Sequence, residues 1–210
     1  MKIKKIGHCC LVIEFDGVKI MTDPGSFSTE QIEEQNIDYI LITHEHGDHI
    51  HIPSLKQVME NNPMAKIITN SAVKNLLDAE NIFAEILEDG QMENGADLYA
   101  ETCDHADIFD GITPVKNTGY LIGSRLFYPG DAWLVPKREV EILALPVAGP
   151  WSKIRDCLEY AIKVNPKSAF PVHDGMLKEN GKGMYGLIGK ILGEQGTNFT
   201  NLNNGESLEF

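Results

Sequence analysis

The residues with the clearest chemistry lie in one hexapeptide, His-Glu-His-Gly-Asp-His, at positions 44–49. It holds three of the seven histidines in this 210-residue chain, His44, His46 and His49, together with Asp48. Neutral imidazoles and carboxylates bind zinc, and they also suit iron or manganese. A catalytic metal ion usually takes three or more protein ligands and leaves a position for water. We therefore predict a metal site whose remaining ligands come from elsewhere in the chain.

The spacing within the hexapeptide suits two ions better than one. Residues two apart on an extended segment project to the same side, so His44 and His46 can bind one ion from the end of a strand. On a helix the same two side chains would point nearly opposite ways. Gly47 allows a sharp bend, after which Asp48 and His49 can face a second ion.

Three further candidate ligands each follow an apolar segment, and we predict that the segments before His105 and His173 are strands. His105 follows Leu98–Thr102, Asp131 follows Gly119–Tyr128, and His173 follows Ala169–Val172. Functional side chains are common on the loops at the rim of a rigid sheet. We expect these three residues to approach the hexapeptide there.

Six segments, in order along the chain, match the pattern of a known family. They are Ile6-Gly-His8, Thr22-Asp-Pro24, the hexapeptide, His105, Gly130-Asp131 and Pro171-Val-His173. The sequence resembles the metallo-β-lactamase superfamily of dinuclear metal hydrolases, and in particular its compact branch of L-ascorbate-6-phosphate lactonase-like proteins. The resemblance implies an α/β fold, the four-layer αββα sandwich.

The resemblance also implies a role for each candidate ligand. One ion would be held by His44, His46 and His105, and the other by Asp48, His49 and His173, with Asp131 bridging. Asp48 and Asp131 would be catalytic as well. An aspartate at the bridging place resembles the hydrolase, lactonase and nuclease branches, whereas the best-known zinc β-lactamases have a cysteine there. Antibiotic hydrolysis is therefore not expected.

The elements that must position these residues alternate between strand-like and helix-like patterns. We predict strands at Lys2–Glu14 and Val18–Thr22, joined by a hairpin turn at Asp16-Gly17, and at Tyr39–Thr43, Lys66–Thr69, Val140–Pro146 and Glu206–Phe210. We predict helices at Ser54–Asn61 with Ser54 as N-cap, at Ala72–Ala79, at Ile154–Ile162 ended by Asn165-Pro166, and near Met184–Gly193. This alternation of strand-like and helix-like patterns predicts mixed sheets with helices outside. The layer order comes from the resemblance.

Length and composition predict one compact domain over residues 1–210, because a chain with 42% hydrophobic residues can bury a full core. The resemblance implies that this domain is a metallo-hydrolase. We find no stretch of about 18 apolar residues and no signal-peptide pattern at the start, so a cytoplasmic location is expected. The four cysteines, Cys9, Cys10, Cys103 and Cys157, are predicted to be reduced and mostly buried. No local pattern activates Cys9, Cys10 or Cys103 for catalysis.

Five further residues near the motifs have two interpretations each. His8 could orient a loop or a ligand, or donate to a backbone carbonyl. Asp23 is predicted to orient a ligand histidine, with a simple turn as the alternative. His51 is expected to serve solvation or packing, and Trp133 and Trp151 could line a pocket or belong to the core.

The charge distribution favours small substrates over nucleic acid. The net charge is −13, and from Asn75 to Val115 there are eleven Asp or Glu residues and no Lys or Arg. Because this stretch contains His105, a long polyanion would be repelled near the site. Lys178 and Lys182 could still contact a phosphate or carboxylate. We expect a small-molecule substrate and neither a nucleic-acid nor a membrane partner.

The sequence thus predicts a hydrolase with two divalent ions, zinc first and manganese or iron as alternatives. A metal-bridging hydroxide would attack a small ester, lactone or phosphoester. Three other functions remain open: a nuclease or phosphodiesterase, a non-haem iron oxidoreductase, and a non-catalytic binding module stabilised by metal.

Overall fold

Two seven-stranded β-sheets form the centre of the protein. The computed structural model describes residues 1–210. The strands are β1 (Lys2–Gly7), β2 (Cys10–Phe15), β3 (Val18–Thr22), β4 (Tyr39–Leu41), β5 (Lys66–Thr69), β6 (Glu85–Ile86), β7 (Met92–Glu93), β8 (Leu98–Asp104), β9 (Lys116–Ile122), β10 (Leu126–Tyr128), β11 (Ile142–Pro146), β12 (Ser168–Val172), β13 (Asn198–Phe199) and β14 (Ser207–Glu209). One sheet has the order β14-β1-β2-β3-β4-β5-β6 and the other β13-β12-β11-β10-β9-β8-β7. Both sheets mix parallel and antiparallel pairs.

Four α-helices pack outside the two sheets. They are α1 (Ile52–Asn61), α2 (Ser71–Ala79), α3 (Ile154–Val164) and α4 (Met184–Glu194), and two short 3-10 helices lie at Glu30–Glu33 and Gly181–Gly183. The longest helices have 11 residues. No helix combines the length and hydrophobicity needed to cross a lipid bilayer.

Three clusters of buried hydrophobic side chains separate four layers of secondary structure. In β2, Leu11 and Ile13 face the opposite sheet in the central cluster, whereas Cys10 and Val12 join the cluster beneath the first helix pair. This alternation is the two-residue period of a strand with both faces buried. The helices complete the outer clusters through Leu55, Val58, Val73 and Leu77 on one side and through Cys157, Ala161, Ile188 and Leu192 on the other. The four-layer αββα sandwich is confirmed.

The first predicted strand, Lys2–Glu14, is wrong as a single element. β1 ends at Gly7 and β2 begins at Cys10, because the chain turns at His8, whose φ of 49° lies in the left-handed region. The predicted hairpin at Asp16-Gly17 is confirmed. Both residues have positive φ, 48° and 80°, as a tight two-residue turn between twisted strands requires.

Helix ends follow local chemistry, with one correction. The predicted N-cap Ser54 is wrong, since α1 already begins at Ile52 with His51 as N-cap. Proline lies in the first turn of this helix, where a missing N–H breaks no helical hydrogen bond. The predicted end of α3 is confirmed: Asn165 takes a left-handed φ of 53° and Pro166 follows it.

Candidate metal centre

The candidate ligands meet at one end of the sandwich, on segments that leave both sheets. His44 lies three residues beyond the end of β4 in the first sheet. From the second sheet, His105 directly follows β8, Asp131 follows β10 by three residues, and His173 directly follows β12. The structure therefore brings together candidate ligands that are up to 129 positions apart in the sequence.

The first group consists of three imidazoles. His44 Nε2 lies 3.1 Å from His46 Nδ1. One ring nitrogen of each of His44, His46 and His105 lies within 4.8 Å of the other two. Burial holds the pKa of His44 well below its usual range, so this ring is neutral and keeps a lone pair for coordination. The arrangement suits one ion with three histidine ligands.

The second group faces the same carboxylate from the other side. His49 Nε2 lies 3.1 Å from Asp131 Oδ1, and His173 Nε2 lies 2.8 Å from Asp131 Oδ2. Asp48 Oδ2 is 3.6 Å from His173 Nε2 and 4.0 Å from His49 Nε2. Asp131 Oδ2 also lies 3.4 Å from His105 Nε2. The Asp131 carboxylate therefore stands between the two groups.

Unsatisfied polar atoms indicate that the site is built for cations. Three fully buried ligand atoms have no hydrogen-bond partner: His49 Nε2, His173 Nε2 and Asp131 Oδ1. Buried polar atoms are normally paired because leaving them unpaired is costly. Coordination to a divalent ion would satisfy all three at once. The donor set of imidazoles and carboxylates fits zinc, iron or manganese.

Electrostatics keeps the central carboxylate ionised. Burial alone would raise the pKa of Asp131, but the neighbouring histidines His49, His173 and His105 hold that pKa well below its usual range. Burial opposes ionisation of Asp48 too, yet the hydrogen bond from His8 and the nearby histidines lower its pKa to about 2. Both side chains are therefore carboxylates at neutral pH, the form that binds metal.

Asp23 orients the ring of His49, as its sequence context predicts. This fully buried carboxylate faces His49 Nδ1 at 2.7 Å and accepts hydrogen bonds from the Thr43 backbone N–H and the Thr43 hydroxyl, each at 2.8 Å. The Tyr128 hydroxyl donates to it at 2.7 Å. With Nδ1 held, His49 Nε2 points toward Asp131. Partners of this kind fix the orientation and tautomer of a ligand histidine.

Two glycines shape the loops that carry Asp48 and Asp131. A Cβ on Gly130, whose φ is 64°, would lie 2.2 Å from the Asn117 side-chain oxygen that accepts the Asp131 N–H. The bend predicted at Gly47 is present, but Gly47 does not have the left-handed φ that would require glycine. Glycine is required at position 25 instead, because a Cβ there would lie 1.8 Å from the Asp48 carbonyl oxygen.

His8 and Trp151 both contact carboxylates of the site. His8 Nδ1 accepts the Gly175 N–H at 3.0 Å, which leaves the proton on Nε2 to donate to Asp48 at 3.2 Å. Of the two interpretations, orientation of a ligand describes this contact. The indole N–H of Trp151 donates to Asp131 Oδ2 at 3.2 Å, so this residue belongs to the site and Trp133 packs behind it.

Sequence reasoning missed the buried ion pair of Lys5 and Asp174, which supports the centre. Lys5 is fully buried and donates to Asp174 at 2.8 Å and to the Pro171 carbonyl at 2.9 Å, which holds the segment on both sides of His173. The acidic residue directly after His173 is the sequence signal that could have indicated this pair.

The Cys9 thiol lies within 4.8 Å of ring nitrogens of His49 and His173, but at 2% exposure it is out of reach of a substrate.

Three residues considered from the sequence stand outside the centre. His51 caps α1, and its Nδ1 lies 2.8 Å from the Ser54 hydroxyl. Lys182 pairs with Glu179 at 2.9 Å. Neither Lys182 nor Lys178 lines the cleft of about 360 Å³ that opens above the ligands.

Comparison with known proteins identifies the family. The chain matches the family described as "Beta-lactamase superfamily domain" over residues 2–173. It is 32% identical over 190 residues to Protein Rv0786c of Mycobacterium tuberculosis, which covers 88% of this chain and 89% of that protein. A UPF0173 metal-dependent hydrolase of Carboxydothermus hydrogenoformans is 27% identical over 194 residues, or 82% of this chain and 84% of the relative. Among solved structures, Igni18, a metallo hydrolase from the archaeon Ignicoccus hospitalis, superposes with a TM-score of 0.77 at 20% identity and covers 100% of this chain and 98% of that chain.

These matches agree with the sandwich and with the cluster of histidines and aspartates at its end. The family match spans the six segments on which the resemblance was based, from β1 to His173. The superposition with Igni18 extends the shared fold over the whole chain. The protein therefore belongs to the metallo-β-lactamase superfamily, and it is a metal-dependent hydrolase of that superfamily.

Proposed function

We propose that this protein hydrolyses small ester, lactone or phosphoester substrates at a dinuclear centre, with zinc as its preferred metal and residues 1–210 as one hydrolase domain. The observation that carries this proposal is the position of Asp131, whose two oxygens face histidines of both groups at 2.8 to 3.9 Å. His44, His46 and His105 would hold one ion. Asp48, His49 and His173 would hold the other.

The chain's own residues prepare this centre for hydrolysis. Two divalent ions, when bound, would supply a nucleophilic water of lowered pKa and polarise the substrate oxygen. Asp131 fixes the spacing of the two groups, and the indole of Trp151 holds its carboxylate in place. Asp48 is half-buried and faces the cleft, where it would orient a water and the substrate on the open side. His8 keeps that carboxylate directed inward through its Nε2 proton.

The proposal includes a small substrate and a cytoplasmic setting. The cleft of about 360 Å³ has room for a small molecule, and the net charge of −13 disfavours nucleic acid and anionic membranes as partners. All four cysteines are free thiols, which is the usual state in a reducing compartment.

Small substrates are expected to be turned over in preference to nucleic acid. The zinc- or manganese-loaded protein should hydrolyse some members of a panel of esters, lactones and phosphodiesters, with turnover lost on chelation. Structured and single-stranded RNA should show little cleavage, because the acidic surface repels a polyanion. The comparison is made at low and moderate salt, since cleavage through backbone contacts would fall steeply with salt.

Efficient, metal-dependent and strongly salt-sensitive RNA cleavage, with negligible small-substrate turnover, would replace this proposal by the nuclease function. Tightly bound iron with redox-active spectra, in a protein that hydrolyses nothing on the panel, would favour the oxidoreductase instead.

A further inference from the structure

Three large apolar side chains stand exposed around the mouth of the cleft. Phe27 is 50% exposed, Ile108 is 38% exposed and Met176 is 49% exposed, and all three line the cleft above the ligands. They come from three different loops, which follow β3, β8 and β12. Phe27 is held in place against His8, with ring centroids 5.0 Å apart. The metal centre is thus reached past an apolar rim.

The polar part of the cleft belongs almost entirely to the metal centre. Its charged or ionisable lining residues are His46, Asp48, His105, Asp131 and His173, all of them candidate ligands. No lysine or arginine lines the cleft. A carboxylate or phosphate on the part of the substrate outside the metal centre would therefore meet apolar side chains and lose hydration without gaining an ion pair.

On the basis of the hydrolase proposed above, we propose that the substrate is an uncharged carboxylic ester or lactone whose acyl part carries an apolar group seated against Phe27, Ile108 and Met176. Water adds to the acyl carbon, the acyl C–O bond breaks, and the leaving oxygen takes a proton from that water. An ester gives one carboxylic acid and one alcohol, and a lactone opens to a single hydroxy acid. Phosphoesters are thereby disfavoured within the broader substrate range.

The burial of apolar substrate surface sets the expected size of the effect. A fully buried methylene contributes about 0.8 kcal/mol, which corresponds to roughly a fourfold gain in kcat/KM. Because the rim is open to solvent on one side, a gain of about twofold to fourfold per methylene is expected until the cleft is filled. A negative charge at the end of the chain should reverse this gain.

The test is a series of p-nitrophenyl esters with the zinc-loaded protein. All the esters share the p-nitrophenolate leaving group, so differences in rate report on the acyl part. The neutral acyl groups are acetate, butyrate, hexanoate and octanoate. The hemisuccinate adds a negative charge at a length similar to that of butyrate. We expect kcat/KM to rise along the neutral series and to fall for the hemisuccinate. The double variant Phe27→Ser/Met176→Gln should reduce the octanoate-to-acetate ratio by about tenfold, as the loss of a few buried methylenes would. Met64→Gln is the matched control, since Met64 is 88% exposed and does not line the cleft, and its ratio should match that of the unmodified protein.

Binding of non-hydrolysable ketones separates apolar recognition from turnover. Trp151 lines the cleft and Trp133 packs against it, and these are the two tryptophans of the chain, so intrinsic fluorescence reports on binding. The zinc-loaded protein should bind 2-decanone more tightly than 2-butanone, and the double variant should lose this difference. Ketone binding of this kind without ester hydrolysis would overturn the hydrolase proposal but support the apolar cleft. Ester hydrolysis that is independent of chain length, or faster with the hemisuccinate, would overturn the inferred substrate class and leave the hydrolase standing.

Discussion

Replacing Asp131 with alanine is expected to abolish turnover and to weaken the binding of both metal ions. Its carboxylate lies within 3.9 Å of ring nitrogens of four histidines, two from each proposed ligand group. Changing a residue that only orients a ligand commonly reduces metal affinity by about 10- to 100-fold. Removing a bridging ligand should lower the affinity for the two metal ions by more than about 100-fold, as measured by competition with a chromogenic chelator.

The matched control is His51→Ala, a histidine substitution two residues beyond the candidate ligand His49. His51 caps α1 and bonds to Ser54 without contacting the ligand groups, so metal affinity and rate should change less than about threefold. Circular dichroism of both variants checks that each is folded. If His51→Ala damages binding as much as Asp131→Ala does, the ligand set has been assigned wrongly.

Asp23→Ala is expected to destabilise the fold and the metal centre together. The substitution removes the acceptor of the Thr43 N–H and the Thr43 hydroxyl, and it releases His49 Nδ1. The Tyr128 hydroxyl also loses Asp23 but keeps the Cys9 carbonyl as an acceptor at 2.8 Å. Stranding buried donors of this kind lowers the free energy of unfolding by about 3 to 5 kcal/mol in total. Urea denaturation of the metal-free protein measures that loss, and metal titration of the folded fraction should show about 10- to 100-fold weaker binding.

Tyr128→Phe provides the comparison for Asp23. It removes one donor to the carboxylate and keeps the ring in the core, so the unfolding free energy should fall by only about 1 kcal/mol. His49 keeps its partner, and metal affinity should stay close to that of the unmodified protein. An Asp23→Ala variant that is no less stable than Tyr128→Phe, with unchanged metal affinity, would show that Asp23 is a simple turn residue.

The sequence predicts most of the fold because its signals are local. The hairpin at Asp16-Gly17 and the end of α3 at Asn165 depend on backbone conformations that few residue types adopt. The order of the layers depends on long-range packing, and it was available only through the resemblance. The start of α1 was predicted two residues late, because Ser54 favours an N-cap by itself while Pro53 favours a first-turn position one residue earlier.

The candidate ligands could be proposed from the sequence because each follows a strand-like segment, and seven of them converge. The residues that hold the candidate ligands in place could not be proposed from the sequence. Lys5 and Asp174 are 169 positions apart, and the Trp151 indole meets Asp131 from a separate loop, so neither contact leaves a local pattern. Gly25 is a similar case. Its closeness to Asp48 arises only when the two loops are folded together, whereas Gly47 is marked in the sequence by its place in the motif.

The number of metal ions bound per chain tests the dinuclear centre most directly. The protein is stripped with a chelator, reloaded with excess zinc or manganese, freed of unbound metal, and measured by mass spectrometry against protein determined by amino-acid analysis. The ligand arrangement predicts a value that approaches two ions per chain, with the ions about 3.5 to 4 Å apart, and Asp131→Ala should fall well below it. A reproducible ceiling of one ion per chain would contradict the dinuclear centre.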